Sequence, residues 1–205
     1  MHAAWEAWHE GDDSRLAEAV ALMAENPGDG ELTPLTETPG VMLVNPLPGC
    51  DLSGVEKIVI ALEQDELFDI FDHYDRSYTS SLEAWTEDRT PLTWRSDYGF
   101  TIPLAGAADA TLLGEIREPE SDVLVAVNLL AEPAVWEEEG HTFDEDSRLE
   151  AWVLREGEVV HVEALWRHMD AGAYNTENGT VRELVLNGIY DWDEQMVSLC
   201  EQGLP

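Results

Sequence analysis

Three stretches of the chain place an imidazole beside carboxylates: Asp72-His73-Tyr74-Asp75, His161-Val162-Glu163 and His168-Met169-Asp170. Imidazole nitrogen and carboxylate oxygen together suit zinc or a non-haem metal when two such groups converge. None of the three has the spacing of a metal motif, because HExxH, CxxC and the twelve-residue calcium loop are all absent. Six His among 44 Asp and Glu produce such neighbours by chance, so no metal and no cofactor are expected. His161 alternates with Val160 and Val162 and reads as a residue on the polar side of a half-exposed strand. GxSxG, a P-loop and GxGxxG are also missing, which leaves acyl transfer and nucleotide binding without support. Cys50 sits in a turn beside Asp51, whose charge opposes a thiolate and so a nucleophile. No catalytic residue is assigned, and the chain is read as a non-enzyme.

The charge pattern carries the functional reading. Asp65, Asp69 and Asp72, with Asp75 beside them, recur at helical steps, about 6 and 4.5 Å apart along a helix axis. Leu67, Phe68, Phe71, Tyr74 and Tyr78 would form the apolar face of that helix. A second cluster joins Glu137, Glu138 and Glu139 to Asp144, Glu145 and Asp146 in an expected loop. Both clusters could imitate phosphates and occupy the groove of a basic protein partner such as a nuclease or other DNA-binding protein. The formal net charge of −34 far exceeds the magnitude of about 2 to 8 that keeps a small domain soluble. On this reading the protein is a nucleic-acid-mimic inhibitor of the anti-restriction or anti-defence type, or an immunity protein for a basic toxin. A second explanation is salt adaptation of a globular domain of ordinary function, enzymes without a linear motif included. Lys57 is the single lysine against nine arginines, and self-repulsion among the carboxylates would be relieved by salt.

The elements that must position these groups follow from periodicity. Residues 1–26 read as a helical segment, with Ser14 capping its second helix, and form an N-terminal arm. Residues 27–40, rich in Pro, Gly and Thr, read as a linker or surface loop, and 41–205 as the main domain. Within it, Val41–Val44 is a short strand, and Gly54–Tyr78 is a strand followed by the acidic helix. Ser80 and Glu83 make a capping box, and Thr90–Leu104 a hairpin turning at Ser96-Asp97. Asp122–Leu130 has no polar face and belongs at the centre of a sheet. Arg148–Leu165 is a hairpin around Glu156-Gly157. Thr180 with Glu183 suggests another capping box after a turn at Asn178-Gly179, and Asp191 with Glu194 the start of a C-terminal helix. The fold class is α+β, a mixed or mostly antiparallel sheet with hairpins packed by helices.

With 44% apolar residues and eight Trp, the chain can bury a core despite its charge. Its two cysteines are too few for a disulfide framework and read as reduced thiols. No signal peptide and no long apolar run is visible, so a cytoplasmic protein is expected, in contact with neither membrane nor nucleic acid. Oligomeric state is not legible in the sequence.

Overall fold

The structure, a computed structural model, describes residues 1–35, 37–102 and 105–203. Two helices open the chain, α1 (His2–Glu10) and α2 (Asp13–Met23). Gly11 ends α1 in the left-handed conformation, and Asp12, rather than Ser14, caps α2 by accepting from Arg15 N at 3.1 Å. The segment 27–40 is not a loop: β1 (Gly28–Leu35) pairs with β2 (Thr38–Leu47). Edge strands need main-chain pairing on one side only, so exposed Gly, Asp and Thr are tolerated there.

The central stretch inverts the expected order. Leu52–Ile60 is a helix, α3, capped by Asp51, whose carboxylate accepts from Gly54 N at 2.7 Å. A single turn α4 (Gln64–Leu67) follows, and His73–Tyr78 is strand β3. Both periods fit the apolar residues of this stretch, and tertiary pairing decides. Tyr74, Arg76 and Tyr78 alternate onto the more buried side of β3, and β3 pairs with β4 (Leu92–Ile102) along its whole length. β4 runs unbroken through Ser96-Asp97, so the expected turn there does not exist; the hairpin is instead β4 with β5 (Gly106–Glu120). Leu104 lies outside the described residues. Helix α5 (Leu82–Asp88) is capped by Ser81, one residue later than the capping box implied, while Ser80 accepts from Thr93 N at 2.8 Å.

The sheet continues with β6 (Val123–Leu130), the two-residue β7 (Val135–Trp136), β8 (Thr142–Arg155), β9 (Glu158–Ala171) and the two-residue β10 (Tyr174–Asn175). Strand order is β1-β2-β9-β8-β6-β5-β4-β3, with β7 on β5 and β10 on β9, and every pairing is antiparallel. The α+β class with an antiparallel sheet, hairpins and an N-terminal helical segment is therefore present. β6 is interior as its composition requires, and the β8–β9 turn holds Glu156 and Gly157 at φ 53° and 88°. The chain closes with one 24-residue helix, α6 (Gly179–Gln202), where two capped segments were expected; of the Thr180 side chain nothing is described.

The two sheet faces have different covers. On the outer face α1 and α2 pack Trp5, Leu16 and Val20 onto Val125, Ala151, Val153, Val160, Val162 and Trp166, so the N-terminal segment lies against the sheet. The inner face is covered by α3, α5 and α6, which bury Val55, Ile58, Trp85 and Met196 against Leu47, Leu92, Trp94, Ile116, Leu124 and Trp152. The two cysteines are joined rather than free: Cys50 and Cys200, 150 residues apart in sequence, form a disulfide with their Cα atoms 5.1 Å apart. Only the docking of α6 brings them together, which is why the sequence reads them as separate thiols.

Candidate functional site

The inner face carries charge where a sheet under a helix is ordinarily apolar. A two-residue turn at Glu156-Gly157 sets the β8–β9 register, pairing Trp152 with His161, Glu150 with Glu163 and Arg148 with Leu165. Strand alternation then puts Glu150, His161, Glu163 and Arg148 on the side facing α6. His161 is fully buried, which corrects its expected place on a half-exposed strand. Asp193 of α6 reaches down to it: His161 Nδ1 donates to Asp193 Oδ1 at 2.7 Å, and Asn45 Nδ2 of β2 donates to Asp193 Oδ2 at 2.8 Å. The Trp152 ring lies parallel to the imidazole, with centroids 5.2 Å apart.

Among the described residues, the second ring nitrogen, His161 Nε2, has no hydrogen-bond partner. It lies 3.9 Å from Glu150 Oε1 and 4.0 Å from Glu163 Oε2. Arg148 Nε stands 3.3 Å from Glu163 Oε1, and Asn128 Nδ2 donates to Glu150 Oε2 at 3.2 Å. Burial opposes a charged imidazole, but Asp193, Glu163 and Glu150 outweigh it and raise the His161 pKa to about 9. Burial also pushes the Glu163 carboxyl up, against the pull of Arg148. Arg148 itself is disfavoured as a cation by burial, yet Glu163, Glu150 and Asp146 hold it firmly protonated.

Next along this face the lining becomes aromatic and aliphatic. Tyr98 and Phe143 are buried, while Phe71, Tyr74, Phe100, Leu112 and Leu130 are half-buried around them. The two regions are continuous: Asn128 pairs with Arg148, Leu130 follows two residues on, and Leu112 pairs with both Leu130 and Ser96. Arg76 closes the far side, donating to Val59 O at 2.6 Å and Tyr74 Oη at 2.8 Å, with its guanidinium 4.7 Å from the Trp94 ring. Burial lowers its pKa.

The acidic clusters read from the sequence are dispersed. Asp65 lies on α4, Asp69 and Asp72 in the following turn and Asp75 on β3, so the helix that would have aligned them is absent. Asp72 accepts from Thr101 Oγ1 at 2.7 Å. Glu137, Glu138 and Glu139 are exposed after β7, but Asp144, Glu145 and Asp146 belong to β8. Asp146 is buried against Arg167 at 2.6 Å, and Asp144 accepts from His168 Nδ1 at 2.5 Å. Of the three imidazole–carboxylate pairs, His161 with Glu163 gains a third and fourth partner. Glu150 and Asp193 were missed; equal steps counted back from the Glu156-Gly157 turn lead to Glu150, whereas nothing local marks Asp193.

No helix among the described residues is long and apolar enough to cross a membrane. No family model matches the chain, and no curated protein matches it. The crystal structure of human STARD10 is similar in fold, with a TM-score of 0.59 and 8% sequence identity over 92% of this chain and 79% of that one. That likeness, a helix-grip α+β fold, overturns the reading of the chain as a DNA mimic, an anti-defence inhibitor or an immunity protein.

Proposed function

We propose that this chain is a non-enzymatic binding domain for a small amphiphile, held on the inner sheet face beside α6. The structural neighbour is a START domain, a lipid-binding fold, which supports a ligand-binding reading. One observation carries the reading: a charged seam and a half-buried apolar cluster adjoin on the same face. The polar end of the ligand would meet Arg148 and Asn128, and its apolar part Phe71, Phe100, Leu112 and Leu130. Displacing water from such a surface is the driving force, about 25 cal/mol per Å² of apolar area. The surplus of negative charge over the whole chain disfavours a purely anionic head, and the Arg148 guanidinium at the contact disfavours a purely cationic one, which leaves a zwitterionic head with its anionic group on Arg148.

Fluorescently labelled lysophosphatidylcholine, a long-chain alkylammonium and a fatty acid, each titrated with the purified protein, test this. Saturable one-to-one binding of the first is expected. Leu112→Glu should weaken it by roughly tenfold or more, the effect of losing one buried aliphatic contact. Leu113→Glu, at an exposed neighbouring position, should leave it unchanged. Absence of saturable binding by all three probes, or an equal effect of the two substitutions, refutes the assignment.

A further inference from the structure

We infer that Glu150, His161 and Glu163 form a binding site for a divalent first-row transition ion of the zinc class. Their donor atoms all lie within 4.8 Å of one another, and all three side chains are buried. The second observation is the orphan nitrogen: His161 Nε2, on a fully buried ring, is aimed between two carboxylates without bonding to either. Its other nitrogen is already committed to Asp193, the arrangement that orients a metal-ligating imidazole and fixes its tautomer. Asn45 steadies Asp193, and Asn128 steadies Glu150, so the supporting bonds are in place.

Charge gives an independent argument. Glu150 and Glu163 face each other across β8 and β9, a like-charge pairing that costs stability. Around a protonated His161, three carboxylates against the imidazolium and the Arg148 guanidinium leave one negative charge uncompensated in a buried place, and a divalent cation that displaces the imidazolium proton would leave the cluster neutral. Bonds of about 2.1 Å to nitrogen and oxygen require donor separations of about 3.4 Å in a tetrahedron. The imidazole–carboxylate separations of 3.9 and 4.0 Å must therefore close by about half an ångström, and the two carboxylates, within 4.8 Å of each other, by at most about 1.4 Å. One imidazole with two carboxylates suits zinc, iron or manganese better than magnesium or calcium. Arg148, with its side chain 27% exposed, marks the approach from solvent. This site does not depend on the amphiphile reading, and either can fail alone.

The test uses the full chain stripped with a chelator, in 0.5 M salt with excess magnesium to occupy surface carboxylates. Zinc is titrated calorimetrically, and cobalt by its visible absorption. One equivalent per chain is expected. His161→Gln and Glu163→Gln should each weaken it by about a hundredfold, and Asp193→Asn by about 10 to 100-fold. Glu87→Gln with Asp88→Asn, exposed on α5, should have no effect. Because a core variant can fail to fold, the ¹⁵N shift of His161 Nε2 in the unaltered protein is followed as zinc is added. A zinc-dependent change at Nε2 supports the site. No saturable equivalent, or one that leaves that nitrogen unmoved or survives Glu163→Gln, overturns it.

Discussion

The disulfide between Cys50 and Cys200 is the strongest single constraint on α6, and its removal has a calculable cost. It closes a loop spanning 150 residues. In the chain-entropy treatment such a loop restricts the unfolded ensemble by about 17 cal/mol/K, or about 5 kcal/mol at 25 °C. Measured losses for native disulfides run from about 2 to 5 kcal/mol, because unfolded chains retain structure, so a loss in that range is expected. α6 would keep its other anchors: Asp193 on His161, the Trp192 ring stacked on Phe68 with centroids 3.4 Å apart, and buried Met196. The protein should therefore remain folded but loosen from the C-terminal end of α6. Urea unfolding of the oxidised protein, the reduced protein and a Cys50→Ser/Cys200→Ser variant measures the loss. Hydrogen exchange over residues 189–202 should accelerate in the second and third samples. Coincident unfolding midpoints for all three, or two titratable thiols in the purified air-exposed protein, would refute the reasoning.

Two further outcomes follow from buried groups. In chelator, both His161 and Glu163 have folded pKa values above their unfolded ones, so their contribution is complete below the unfolded pKa and disappears as pH rises through the folded one. For His161 the window runs from 6.5 to about 9 and the loss is about 3 kcal/mol, so urea midpoints of the metal-free protein should fall across it. Asp193→Asn should flatten that slope; a pH-independent midpoint across the same window would count against the arrangement. At Gly114 an added methyl would overlap the Trp94 indole, itself buried in the inner layer, so Gly114→Ala should destabilise by about 1 to 3 kcal/mol. Thermal unfolding measures it, and recovery in the Gly114→Ala/Trp94→Leu pair would locate the clash.

By itself the sequence determined the class of fold, the N-terminal helices, the interior strand β6 and the β8–β9 hairpin. Each is written in local periodicity or turn chemistry: an unbroken apolar run for β6, and a Glu156-Gly157 pair able to take positive φ. It also exposed the His161-Val162-Glu163 neighbours. Local pattern misled where two periods fit one stretch. Residues 54–78 satisfy helix and strand alike, and only pairing with β4 and packing of α3 against the inner face chose between them. The same ambiguity aligned Asp65, Asp69 and Asp72 on a helix that does not form. Tertiary structure alone decided that Asp193 meets His161 across 32 residues and that Cys50 meets Cys200 across 150. Contacts at such separations depend on how α6 docks, and docking is the sum of many weak apolar contacts that leave no mark in any short window of sequence.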